Sequence, residues 1–204
     1  DEPADAAEKV RQLVVERIPK TFGLDPVRQV QVLTPMHRGP AGSQALNQIL
    51  QASLNPPRAD SPIGLFRSGD KVMQLRNDYQ RDVFNGDIGF VTAVEAEGRK
   101  VTVDVDGRAV IYEDSQLDEL TLAYACSIHK SQGSEYPAVV IPMLSSHFVM
   151  LSRNLLYTAV TRGKRLVVLI TDKHALRVAL DETRREERYT WLAQRIRELA
   201  RPAP

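Results

Sequence analysis

The period of the apolar positions changes along the chain, and each change predicts a different element. Over Ala4–Ile18 the apolar residues Ala7, Val10, Leu13, Val14 and Ile18 recur at helical spacing. Asp5 and Glu8 stand early in that stretch and Arg17 and Lys20 late, the polarity the helix macrodipole favours. Gly23 and Pro26 end it. Val30–Leu33 reads as a short strand stopped by Pro35, and Met36–Gly42 as a loop. Ser43 is placed to cap a helix running to Leu54, with Ala45, Leu46, Ile49 and Leu50 on one face, and Asn55-Pro-Pro57 stops it.

The next stretch, Pro56–Gly69, is rich in Pro, Gly and Ser and reads as a loop before a strand at Lys71–Leu75. Asn77–Gln80 is polar, and Phe84-Asn-Gly-Asp87 is a turn signal. From Ile88 to Tyr112 the period falls to two: Val101, Val103 and Val105 alternate with Thr102 and Asp104. Asp106-Gly107 predicts a tight hairpin into Arg108–Tyr112, and Glu97-Gly98 predicts another before it. These short antiparallel strands predict a small barrel. After Leu120 the texture changes again. Thr121–Cys126 and Ala138–Met143 are continuous apolar runs, the pattern of strands buried on both faces. Leu151–Arg162 reads as a helix with Leu155, Leu156, Ala159 and Val160 inward, followed by a buried strand at Leu166–Ile170. Lys173–Leu180 and Glu186–Leu199 read as helices, the last packed through Tyr189, Trp191, Leu192 and Ile196. The chain is therefore expected to be an α/β parallel-sheet domain interrupted by an antiparallel insert, and insertion at a loop tip is physically cheap.

Composition narrows this only slightly. A chain of 204 residues with 43% hydrophobic and 26% charged residues is long enough for a sizeable core. Lys and Arg total 27 against 26 Asp and Glu, so any nucleic-acid site must be a local basic patch. The single Cys126 excludes an internal disulfide framework and a cysteine-based zinc site, and it fits a reducing cytoplasm. No apolar run approaches the ~18 residues of a membrane span, so no membrane partner is expected. Without Met at position 1, the opening Asp-Glu-Pro-Ala-Asp reads as a cut or linker within a longer protein.

The chemistry concentrates in the polar loop Ser127–Tyr136, held between two apolar runs. A polar loop at the edge of a buried sheet is where α/β proteins keep their sites. Gly39-Pro-Ala-Gly42 lacks the lysine of a phosphate-binding loop, and Asp181-Glu182 follows a helix and reads as a solvated face, so no metal site is expected.

Three segments then combine: Val32-Leu-Thr-Pro-Met-His-Arg-Gly39 with Leu46-Asn47 beyond it; Ala123-Tyr-Ala followed by His129-Lys-Ser-Gln-Gly-Ser-Glu135; and Ser152-Arg-Asn-Leu-Leu-Tyr-Thr-Ala-Val-Thr-Arg-Gly-Lys164. In order and spacing they resemble motifs IV, V and VI of superfamily 1 helicases. The wording is closest to the RecD-like branch, which includes the exodeoxyribonuclease V alpha subunits. Gly69–Asp87 resembles the same branch. The resemblance covers Val30 to Ile170 and implies a RecA-like second motor domain, residues 1–82 and 119–204, interrupted by an SH3-like barrel at 83–118.

The resemblance also implies roles. Arg162 is similar to the arginine finger of these enzymes, and Arg38 is the second γ-phosphate arginine. Arg's planar, permanently charged fork suits phosphate oxygens where transition-state charge spreads. Gln132, Gly133 and Glu135 are expected to face nucleotide. Thr34, Ser127, His129, Lys130 and Asn77 are expected to face single-stranded DNA. Tyr79 and Phe84 are expected to pack the barrel onto its host rather than stack on bases. Gly163 stands where the family commonly has Ala. The phosphate-binding loop, the Mg²⁺-binding acids and the water-orienting base belong to a first motor domain that this sequence lacks. ATP and Mg²⁺ are thus expected in the full-length enzyme, with this chain inactive alone. Its expected partners are single-stranded DNA, the N-terminal motor domain and recombination or repair subunits. The branch implies 5′ to 3′ movement. A non-catalytic nucleic-acid-binding or protein-docking module, a conjugative relaxase-type helicase and an RNA helicase share parts of this pattern.

Overall fold

In the computed structural model the described residues are 3–57, 65–95, 100–181 and 191–199. The first is a long helical rod: α1 (Pro3–Gln12), a π turn over Leu13–Arg17, and α2 (Ile18–Phe22). Pro19 has no N–H to give to the preceding turn, and the wide π turn lies just before it. Gly23 ends the rod at φ 65°, a left-handed conformation that costs glycine nothing. Strand β1 (Val30–Thr34) follows, then α3 (Ser43–Leu54). Gly42 occupies the cap position of α3 in place of the expected Ser43, which is the first helical residue.

The chain then leaves for an antiparallel sheet. Its strands are β2 (Lys71–Gln74), β3 (Ile88–Val94), β4 (Lys100–Val105), β5 (Arg108–Glu113) and, after a 3-10 turn over Asp114–Glu119, β6 (Leu120–Leu122). The spatial order is β5-β4-β3-β2-β6. Asp106 (φ 50°) and Gly107 (φ 82°) make the predicted tight turn between β4 and β5. The Glu97-Gly98 hairpin lies outside the described residues. The sheet draws Lys71–Gln74 and Leu120–Leu122 into itself, so it reaches past 83–118 on both sides. The expected barrel is not closed among the described residues. The 3-10 turn carries the chain from β5 to the far side of β2, which leaves β5 and β6 on opposite edges.

The chain returns through β7 (Ala125–Ser127) and β8 (Tyr136–Met143), then α4 (Arg153–Val160), β9 (Gly163–Thr171), α5 (Lys173–Asp181) and α6 (Leu192–Leu199). With β1 these strands form a parallel sheet in the order β7-β1-β8-β9. Alternation sorts its two faces. Val30, Val32, Ala138 and Val140 join Val10, Leu46 and Leu50 under α1 and α3. Leu33, Val139 and Ile141 join Leu155, Ala159 and Ala175 under α4 and α5. At α6 the expected packing is not seen: Trp191, just before the helix, and Ile196 are exposed, as is Leu199, and Tyr189 is outside the described residues.

The run Thr121–Cys126, expected as one buried strand, is two strands in two sheets. Burial on all sides gives both halves the same apolar texture, so the crossing leaves no mark in the pattern. Polar side chains support the crossing by bonding the backbone groups around it. Asn47 Nδ2 donates to the Leu122 and Ala125 carbonyls, both at 2.9 Å, and Asn47 Oδ1 accepts from Ala125 N at 2.8 Å. Gln31 Nε2 donates to the Ala123 and Tyr124 carbonyls at 3.0 and 3.2 Å. Buried Asp70 accepts from Tyr124 Oη (2.8 Å), Asn55 Nδ2 (2.8 Å) and Gln51 Nε2 (2.6 Å), tying the antiparallel sheet to α3.

Candidate functional site

The parallel sheet has two ends, and strand register assigns each predicted residue to one of them. Thr34 pairs with Ser127, Val30 with Ala138, and Tyr136 with Gly163. Thr34, Ser127 and the Met36–Gly42 loop therefore stand at the carboxyl end. Arg162 and Gln132–Glu135 stand at the amino end of β8 and β9. The ends are about 20 Å apart at ~3.3 Å per strand residue. The loop from Ser127 to Tyr136 runs the length of the sheet and links them.

At the amino end, Arg162 is locked to the loop. Its Nη1 donates to the Ser134 carbonyl at 3.1 Å, Nε to the Thr158 carbonyl at 3.2 Å, and Nη2 to Thr161 Oγ1 at 3.2 Å. In return Tyr136 N donates to the Arg162 carbonyl at 2.8 Å. Every side-chain partner is neutral, and among the described residues no carboxylate pairs with Arg162. The cation is thus positioned without being neutralised. Ser152 starts the helix that delivers it, accepting from Leu155 N at 3.2 Å. Gln132, Gly133 and Glu135 are exposed beside it. Gly133 holds φ 86°, where a side chain would be strained. Glu135 does not cap the turn; it pairs with Lys164 Nζ at 3.1 Å, both half exposed. A Cβ at Gly163 would press on Val139 and Val167, so glycine lets β9 start close against β8.

Arg38 is not brought to Arg162. It follows the carboxyl end of β1, whereas Arg162 precedes the amino end of β9, and parallel strands put those positions at opposite ends of the sheet. Arg38 is exposed, with no side-chain partner among the described residues. Its loop is braced by Ser43 N donating to the Met36 carbonyl (3.0 Å) and Gln44 N to the His37 carbonyl (3.1 Å). A Cβ at Gly42 would collide with the His37 and Arg38 carbonyls. Thr34 is fully buried and donates its hydroxyl to the Ala41 carbonyl at 2.8 Å. Its side chain shapes this loop and offers nothing to a phosphate.

Beside Arg38 a cavity of about 560 Å³ opens between α3 and the two sheets, with His37, Asn47, Met73, Leu122, Ser127 and Lys130 among its lining residues. Ser127 Oγ accepts from Lys130 N at 3.4 Å, and the Lys130 side chain is exposed on the turn after β7. His129 is exposed next to it. Cys126 also lines the cavity, and burial pushes its thiol up to about 12, so it stays protonated and unreactive. Asn77 lies on the β2–β3 loop, where its Oδ1 accepts from Asn85 N at 2.9 Å.

Sequence reasoning missed the role of Gln31, Asn47 and Asp70 in joining the two sheets. Their signal was present as polar side chains at apolar positions, Gln31 within β1 and Asn47 on the inward face of α3. It also assigned Tyr79 and Phe84 to packing, whereas Tyr79 is 79% exposed and Phe84 40%. Among the described residues, no group of His, Cys, Asp and Glu is arranged to hold a metal. None of the described helices is long and apolar enough to cross a membrane.

Comparison with known proteins places this architecture. Residues 46–105 match the family model described as ATP-dependent RecD-like DNA helicase SH3 domain, and residues 122–170 match the UvrD-like helicase C-terminal domain. The ATP-dependent RecD2 DNA helicase of Deinococcus radiodurans is 44% identical over 82% of this chain and 23% of its own length. The RecBCD enzyme subunit RecD of Mycolicibacterium smegmatis is 32% identical over 82% of this chain and 29% of its own. A Bacteroides Pif1 helicase, crystallised with ADP-AlF3 and ssDNA, shares the fold at a TM-score of 0.56 and 18% identity, over 96% of this chain and 50% of that one. The parallel sheet with its arginine-bearing helix is thus of the helicase motor-domain type. More narrowly, the chain belongs to the RecD-like branch of superfamily 1 helicases. It spans about a quarter of the length of the curated relatives it matches.

Proposed function

We propose that this chain is the C-terminal motor domain of an ATP-dependent DNA helicase, built to act against a first motor domain of the same protein. The observation that carries the reading is Arg162, a cation held by neutral acceptors at the amino end of the sheet and aimed beside an exposed Gly-bearing loop. A γ-phosphate presented there by the first domain would meet a pre-positioned guanidinium, which stabilises charge spreading in phosphoryl transfer. Gln132, Gly133 and Glu135 line the same face. ATP and Mg²⁺ would be held largely by the first domain, which in this reading supplies the metal ligands, so the chain alone does not hydrolyse ATP.

Single-stranded DNA takes the opposite end. The cavity between the sheets, lined in part by His37, Ser127 and Lys130, suits a phosphate backbone and its bases, and we assign the exposed His129 and the β2–β3 loop residue Asn77 to the same strand. Arg38 belongs to this end in our reading, as a phosphate contact rather than a second finger. The loop from Ser127 to Tyr136 then joins nucleotide to strand, so closure around ATP alters the grip on DNA and cyclic closure drives translocation. We assign 5′ to 3′ movement on the family resemblance, and place the insert around 83–118 on the same ground, with its sheet extending to Lys71 and Leu122. Partner subunits in recombination or repair follow from the same family.

The test is direct titration of the full-length protein with a dT oligonucleotide at two salt concentrations. Salt-sensitive binding that Lys130→Ala weakens supports the groove; unchanged affinity in that variant refutes it.

A further inference from the structure

The β2–β3 loop carries an exposed aromatic pair. Tyr79 is 79% exposed and Phe84 40%, yet their rings meet edge to face, 5.9 Å apart at 77°. Their exposure does not come from a loose loop. Asp78 and Val83 exchange both backbone hydrogen bonds, at 2.7 and 3.0 Å, and Val83 is completely buried as the anchor. Asp78 Oδ1 accepts from Gln80 N and Arg81 N at 2.8 and 3.0 Å. Arg81 pairs with Asp78 and Glu119, and its guanidinium lies over the Tyr112 ring at 4.6 Å. Phe84 N donates to Asp87 Oδ2 at 2.8 Å, and Asn77 holds Asn85 N. The entropy of ordering this tip is spent inside the protein, and two aromatic faces are then left in water.

Position and charge select the occupant. Gly86 of this loop approaches the Lys130 carbonyl, so the loop adjoins the turn that carries Lys130, one of the residues lining the cavity. Two acids of the loop are paired with arginines, Asp78 with Arg81 and Asp82 with Arg108 at 2.8 Å, while Asp87 accepts from Phe84 N. Lys130 is exposed on the neighbouring turn, and among the described residues no ion pair engages it. An apolar π-face beside an unneutralised cation is the combination that binds an unpaired base together with its phosphate.

We propose that Tyr79 and Phe84 form a stacking station for one base of the single strand, beside the groove. This rests on the single-strand reading of the groove. In it, Tyr79 offers its free face to the base and Phe84 braces the ring from its edge. A station of this kind grips any base, because every base has a π-face, and it marks one position along the strand.

The experiment uses the full-length protein and dT oligonucleotides carrying 2-aminopurine or an abasic site at successive positions. One position is expected to show stacking quench of 2-aminopurine, and an abasic site there weakens binding about 10-fold. Tyr79→Ala removes the quench, weakens binding to the intact strand by a similar factor, and becomes indifferent to the abasic site. Tyr79→Trp retains all three properties. If wild type and Tyr79→Ala lose the same affinity at every abasic position, the station is refuted while the groove stands. If wild type fails to bind the oligonucleotide, groove and station fall together. Unchanged strand affinity with lost binding of a protein partner would also overturn the station.

Discussion

Arg162 donates to the Ser134 carbonyl at 3.1 Å, and Tyr136, two residues further on, donates its N–H back to the Arg162 carbonyl at 2.8 Å. The arginine and the Ser127–Tyr136 loop are therefore one mechanical unit at the amino end of the sheet. The same loop begins at Ser127, paired with Thr34 at the other end. A displacement felt by the guanidinium has a covalent and hydrogen-bonded route to the groove.

The separation of Arg38 from Arg162 makes the two arginines distinguishable. Arg38→Ala should reduce the salt dependence of single-strand binding, the slope of log K against log salt falling by about 0.7 for one lost phosphate contact. ATPase at saturating DNA should change little. A loss of ~10³-fold in turnover, the size expected of a finger, would return Arg38 to the nucleotide.

Asn47 holds the crossing between the sheets. Asn47→Ala leaves the Leu122 carbonyl and both backbone groups of Ala125 without that partner. Buried backbone groups left unpaired cost enough that we expect a loss of about 2–4 kcal/mol in urea unfolding. A change below about 0.5 kcal/mol would mean that the crossing is held by other contacts.

Lys71 is buried at the same joint. Its Nζ donates to the Val30 carbonyl at 3.2 Å and stands 5.7 Å from the centre of the Tyr136 ring. Burial lowers its pKa from 10.5 to about 8, with the charge on Asp25 opposing that shift. The folded state thus releases this proton before the unfolded state does. The charge opposes folding in full below pH 8, and stability rises as pH climbs from about 8 towards 10.5. Lys71→Met should be more stable than wild type at pH 7 by about 2 kcal/mol. The gap should close towards pH 10.5, as read by parallel urea melts. A variant less stable at every pH would show that the amine's contacts outweigh its desolvation.

Much of this was legible in the sequence, because each signal had one physical cause. The alternation of Val101, Val103 and Val105 could only serve a half-buried strand, and Asp106-Gly107 could supply the positive φ angles of a tight turn. The loop beginning at Ser127 was recognisable by its polar character between apolar runs. The crossing within Thr121–Cys126 was hidden, because residues buried in either sheet look alike. The helical stripe through Trp191 and Ile196 indicated a helix but could not indicate whether anything covers it. Tyr79 and Phe84 were misplaced because aromatic character predicts burial, and only the hydrogen-bonded loop around them reveals that they are held outward. The opposite placement of Arg38 and Arg162 was readable: one follows a strand, the other precedes one, and parallel strands separate those positions.

The central claim is that Arg162 is the transition-state cation of a motor whose other half lies on the first domain. The direct measurement is DNA-stimulated ATP turnover by the full-length protein carrying Arg162→Ala, alongside circular dichroism and single-strand binding. We expect turnover to fall by ~10³-fold or more, with fold and strand affinity retained. Turnover within a few-fold of wild type in a folded variant would contradict the account.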